Sequence, residues 1–109
     1  MAPTKLGLDE KAEAALSYLL GAITGIIFLI LEPENYFVRF HAAQSTLASI
    51  TIFILTLALP FLWFLWSLLS LIVLIVGIIK SLQGELYKFP LIGDLAAQLV
   101  KPPPPPPPP

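Results

Sequence analysis

The chain contains no cysteine. That excludes disulfides, thiolate nucleophiles and cysteine-based metal sites. Charge is scarce as well: Asp, Glu, Lys and Arg make up 12% of the 109 residues, about half the ~25% usual for a soluble domain. The net charge is −1, and without a basic patch there is no surface for nucleic acid. Histidine occurs once, as His41. A metal there would need further ligands, and no local spacing supplies them. His41 instead reads as an interfacial residue hydrogen-bonded to the backbone or to a carboxylate. A glycine-rich phosphate loop and a nucleophile elbow are also missing. The expectation is a protein that is not an enzyme and carries no cofactor.

What is abundant is hydrocarbon. Hydrophobic residues account for 57% of the chain, concentrated in three runs, Ala14–Leu31, Ala42–Leu59 and Phe61–Ile79. Each is close to the ~20 residues that carry an α-helix across a bilayer core. The predicted fold is all-α and integral to the membrane: three transmembrane helices plus a short interfacial amphipathic C-terminal helix. The expected layout is an N-terminal tail over residues 1–11, one membrane domain over 12–101 with residues 81–101 at the interface, and a proline tail over 102–109. The first run exceeds the ~7–15 apolar residues of a signal core and two more follow it, so it is expected to be a retained span.

Glu32-Pro-Glu-Asn35 marks an exit from the membrane. Residues Ala42–Ile79 as one helix would reach about 55 Å, far beyond the bilayer. Pro60 interrupts them and places a tight hairpin around Leu59–Leu62, with a kinked re-entrant pair as the competing geometry. Trp63 and Trp66 beside it suit one interface; Tyr36, Phe37, Phe40, Tyr87 and Phe89 suit the other. Three crossings put the N-terminus and the Pro60 turn on one side, and residues 32–42 and the C-terminal segment on the other. Arg39, Lys80, Lys88 and Lys101 then face Lys5 and Lys11 across the bilayer. The positive-inside rule makes the Arg39/Lys88 side cytoplasmic in a multi-pass protein of the cell membrane.

Small residues recur at helical spacing: Ser17, Gly21 and Gly25 in the first run, Ser45 and Ser49 in the second, Ser67, Ser70 and Gly77 in the third. Such stripes let helix backbones approach in lipid, so they are read as packing faces. Towards the C-terminus Leu91, Leu95 and Leu99 form a stripe, with Ile92, Ala96 and Val100 alongside and Asp94, Gln98 and Lys101 opposite. That pattern describes a surface helix whose apolar face lies on lipid or on the bundle. Arg39, His41 and Gln44, with Gln83, Glu85, Lys88 and Asp94, gather on the same side as an interfacial polar cluster. An ion pair from Arg39 to Glu85 or Asp94 would fix the C-terminal segment to the second helix.

Three segments carry a resemblance: Leu16-Ser-Tyr-Leu-Leu-Gly21 running on to Glu32, Glu34-Asn-Tyr-Phe-Val-Arg-Phe-His-Ala-Ala-Gln-Ser45, and Lys80-Ser-Leu-Gln-Gly-Glu-Leu-Tyr-Lys-Phe-Pro-Leu-Ile-Gly-Asp-Leu-Ala96. Over about residues 14–100 the chain resembles a family of small archaeal and bacterial multi-span membrane proteins of uncharacterised function. That family is described as distantly similar to a component of the chloroplast inner-envelope protein-import machinery. The resemblance implies a multi-span membrane fold and supplies no catalytic residue.

Pro102–Pro109 is an unbroken proline run. It forms an extended polyproline rod of ~3.1 Å per residue, able to dock in an aromatic-lined groove of another subunit. The functional expectation is a non-catalytic small membrane subunit that packs in or stabilises a larger membrane protein complex. Its partners are the lipid bilayer and larger membrane subunits. The alternative is a transport or protein-translocation component.

Overall fold

The computed structural model describes residues 4–100. Lys101 and the proline tail Pro102–Pro109 lie outside the described residues. Five α-helices follow one another: α1 (Glu10–Leu16), α2 (Ala22–Leu31), α3 (Tyr36–Ala58), α4 (Trp63–Leu82) and α5 (Ile92–Leu99). The described residues contain no strand.

The first apolar run is not one helix. Asp9 caps α1 by accepting from the Lys11 amide at 3.1 Å, but α1 ends at Leu16. The chain then turns through residues 17–21. Gly21 takes φ 63° and ψ −123°, a positive-φ conformation that glycine adopts readily and residues with a Cβ avoid. From there α2 runs back. Its far end lies beside the start of α1: the amides of Lys5 and Leu6 donate to Glu32, and Asn35 donates to Glu10. The turn itself reaches only to Ser45 and Ser49, midway along α3. At 1.5 Å per residue, α1 rises about 10 Å and α2 returns about 15 Å. Residues 10–31 therefore form a re-entrant helical hairpin.

This corrects the expectation of three spans. Two segments are long and apolar enough to cross a membrane, Tyr36–Ala58 and Pro60–Leu82, each of 23 residues. They form a hairpin that reverses at Pro60–Leu62, a single 3₁₀ turn. Proline has no N–H to continue α3, and the Leu59 carbonyl at the reversal accepts from the Leu62 amide at 3.1 Å and from the Trp66 indole at 2.9 Å. The correction changes the sidedness too. The N-terminal residues no longer share a side with the Pro60 turn. Lys5, Lys11, Arg39, Lys80 and Lys88 all lie at one end of the molecule, and residues 40–79 contain no charged side chain.

Helix α5 lies across α3. Its buried residues are Gly93 and Ala96; Ala96, with Val100 just past the helix end, packs on Phe40 and Ala43. Leu91, Leu95 and Leu99 stay exposed. The leucine stripe thus faces away from the bundle, where an interfacial helix meets lipid. A second small cluster, Phe28, Val38 and Ala42, joins α2 to α3.

Candidate functional site

The break between α1 and α2 strips backbone groups of helical partners inside an apolar environment. Each unsatisfied group there costs several kcal/mol. Hydroxyls close the gap. Thr24 Oγ1 donates to the Ser17 carbonyl at 2.9 Å and accepts from the Leu20 amide at 3.2 Å. Ser45 Oγ, from α3, lies 2.7 Å from the Ser17 carbonyl and 3.2 Å from that of Gly21. The small residues predicted as packing faces do more than pack: Ser17 and Gly21 form the break and Ser45 satisfies it. A Cβ on Gly21 would run into the Ser49 hydroxyl, one on Gly25 into Thr46, and one on Gly77 into the Tyr18 ring.

Within the break, Tyr18 enters a buried polar cluster. His41, Gln44 and Tyr18 are all nearly inaccessible. His41 Nε2 lies 2.7 Å from the Glu85 carbonyl, which can only accept, so Nε2 carries the proton. Nδ1 of the neutral ring then accepts from the Tyr18 hydroxyl at 2.8 Å. Gln44 Nε2 donates to the Tyr18 hydroxyl and to the Tyr87 carbonyl, each at 2.8 Å. Gln44 Oε1 accepts from the Phe89 amide at 2.9 Å. Three rings, Tyr18, Phe37 and Phe40, meet the imidazole edge-on at 4.8–5.5 Å.

The purpose of this cluster follows from what it binds. Residues 85–89 have no helix or strand to satisfy their backbone. His41 and Gln44, one helical turn apart on α3, supply the missing partners. They act as a surrogate ladder that fixes the segment leading into α5. Both ring nitrogens of His41 are committed to it.

The remaining members of the predicted cluster sit elsewhere. Arg39 makes no ion pair with Glu85 or Asp94; its Nη1 donates to the Leu29 carbonyl at the end of α2, at 2.6 Å. Glu85 pairs with Lys80 at 3.0 Å and Asp94 with Lys88 at 3.6 Å. These two bridges are largely exposed and contribute little. Arg39 is drawn away because the last carbonyls of α2 lack amide donors and a guanidinium suits them.

Two carboxylates that the sequence places at the ends of the first apolar run, and in no site, are the most buried charges. Glu13 and Glu32 are each no more than 1% exposed. Glu32 receives the Lys5 and Leu6 amides at 2.6 and 3.1 Å. Both oxygens of Glu13 are buried, and the Glu32 carboxyl lies beside them. Burial, then the neighbouring Glu32, pushes Glu13 up to about 7. Burial alone would raise Glu32 also, but the hydrogen bond from Glu13 and the two amides outweigh it and hold Glu32 below its ordinary value. The pair therefore shares one proton, held by Glu13. Tyr18, too, was missed as a member of the polar cluster; the available signal was a phenol within an otherwise aliphatic stretch, one turn before Gly21.

A groove of about 380 Å³ opens beyond the tip of the re-entrant hairpin, between α3 and α4. Tyr18 and Leu19 form its floor, Ile52, Phe53, Val73 and Leu74 its apolar walls, and Ser49, Thr56 and Ser70 bring hydroxyls to it.

These features define a small all-helical membrane protein with a spanning hairpin, a re-entrant hairpin braced against it, and a C-terminal helix clamped by a polar cluster. The chain belongs to the magnetosome magnetite crystal formation protein family, whose model matches residues 9–96. It is 46% identical over 104 residues to a UPF0132 membrane protein of Methanocaldococcus jannaschii, covering 90% of this chain and 94% of that protein. A UPF0132 membrane protein of Archaeoglobus fulgidus is 42% identical over 100 residues, covering 85% and 97%. A second M. jannaschii relative is 45% identical over 98 residues, covering 84% and 70%. No solved structure matches the chain significantly.

Proposed function

We propose that the protein is a non-catalytic membrane subunit that receives a transmembrane helix of a larger partner in the groove between α3 and α4. The observation that carries this reading is the state of the groove's hydroxyls. Thr56 bonds back to the Ile52 carbonyl at 2.7 Å, but Ser49 and Ser70 have no hydrogen-bond partner among the described residues. Hydroxyls bordering an open groove at membrane depth favour contact with another helix, where small polar side chains bond across the interface. The polar cluster around His41 is consumed in holding the chain together, which supports a structural role over a chemical one.

The charged end is assigned to the cytoplasm, since every described lysine and the arginine lie there. The family description, magnetite crystal formation, names a process and not the role of one chain. None of the matched relatives is named for transport, so the translocation alternative gains no support.

The chain's lack of cysteine makes the test clean. Ser70→Cys should crosslink in native membranes to a larger protein, with Lys88→Cys as the off-groove control. Crosslinking that gives only unmodified monomer, or equal adducts from both positions, overturns the proposal.

A further inference from the structure

We propose that the cleft between α2, α3 and α5 binds one anionic phospholipid, its phosphate on Arg39 and the start of one acyl chain along the cleft. Arg39 is the only arginine in the chain. One of its donors reaches the Leu29 carbonyl; a guanidinium has five. No carboxylate among the described residues pairs with it. Glu85 and Asp94 are taken by Lys80 and Lys88, and Glu32 by backbone amides. The guanidinium is thus a partly buried cation that no anion of the protein neutralises.

Beside it lies a cleft of about 160 Å³, walled by Leu29, Ala43, Leu47, Leu99 and Val100 and by Thr46, whose hydroxyl is turned back onto the Ala42 carbonyl. If a methylene occupies about the volume of a water, ~30 Å³, the cleft holds roughly five. Arg39 precedes Ala43 by one helical turn, so the cation marks the end nearer the charged surface, and the apolar walls run from it toward the bilayer interior. A cation at headgroup depth joined to an aliphatic trough matches a phospholipid in both charge and polarity. The planar fork of arginine suits a phosphodiester better than a lysine would. The exposed stripe Leu91, Leu95 and Leu99 sets this side of α5 against lipid. A free phosphate would use the guanidinium and leave the trough empty; the lipid uses both.

The test is native mass spectrometry of the full chain, purified in detergent and exposed in turn to phosphatidylglycerol, phosphatidylcholine and inorganic phosphate. One phosphatidylglycerol should remain bound per chain, at least tenfold in preference to phosphatidylcholine, and excess inorganic phosphate should not displace it. Arg39→Gln, whose amide can still donate to Leu29, should lower retention about tenfold. Leu47→Trp fills the trough while leaving the arginine, and should lower it comparably; it decides the matter if the Arg39 variant fails to fold. Lys88→Gln should have no effect. Equal binding of the two lipids, displacement by phosphate, or full retention by Leu47→Trp would overturn the assignment.

Discussion

The hydroxyl of Ser45 donates to the carbonyl of Ser17 at 2.7 Å, across 28 residues of sequence. This bond ties the middle of the long helix α3 to the point where the first apolar run breaks. Thr24 donates to the same carbonyl, so the break has two supports. Ser45→Ala should lower stability by about 1 kcal/mol, the usual net value of one hydrogen bond. Combining it with Thr24→Val should cost more than the sum of the single changes, because the Ser17 carbonyl is then left bare in an apolar environment. Thermal unfolding of the four proteins in one detergent measures the difference. Simple additivity would show that water or detergent reaches the break.

Gln44 makes three bonds, two of them to the segment that leads into α5. Gln44→Leu keeps the volume and removes all three. The expected loss is about 2–4 kcal/mol, felt first in the docking of residues 85–99. Tryptic cleavage after Lys88 should accelerate sharply, with α3 and α4 still protected. Unchanged cleavage would mean that the apolar contact of Ala96 and Val100 with α3 holds the segment by itself.

Glu13 links stability to pH. In the folded protein its carboxyl keeps a proton up to about 7, against an ordinary value of 4.5. Between those values the folded state holds more protons than the unfolded state. Its stabilising contribution is therefore complete below the ordinary value and is lost as pH rises through about 7. Glu32 is depressed, so its contribution behaves oppositely, being lost only as pH falls below the ordinary range. Melting temperature should fall from about pH 5 to about pH 8, and Glu13→Gln, which is neutral throughout, should flatten that slope. A slope that persists in Glu13→Gln would assign it to another group.

The re-entrant hairpin makes a topological prediction. Asp9→Cys and Lys88→Cys should both react with an impermeant maleimide from the same face of sealed vesicles. With three crossings the two positions would be labelled from opposite faces. The comparison separates the two topologies without any functional assay.

Helix composition and the position of the chain reversal were legible from residue order. Run length reports whether a segment can cross lipid, and Pro60 cannot continue a helix. The break at residues 17–21 was not, because hydropathy weighs side chains and the break is a backbone event. Leu19 and Leu20 look like any span. The clue lay in Thr24 and Ser45, whose hydroxyls satisfy carbonyls that an intact helix would already have used. Arg39 was assigned a carboxylate partner on grounds of charge, whereas its actual partner is the backbone carbonyl of Leu29, which no charge pattern reveals. The C-terminal helix docks through Gly93 and Ala96, since small residues permit close approach to α3; the larger leucines, more conspicuous in sequence, are turned outward.

The tip at Pro60 has a consequence for how the protein reaches its membrane. Between Arg39 and Lys80 the chain offers no ionised group, and the turn between α3 and α4 is built of Leu59, Pro60, Phe61 and Leu62. Ordinary two-span proteins must haul a hydrophilic loop through hydrocarbon, at ~2.5–3.5 kcal/mol for each charge at the centre. Here nothing water-loving makes that passage, so biogenesis can proceed from a single compartment, with the hairpin sliding in apex first.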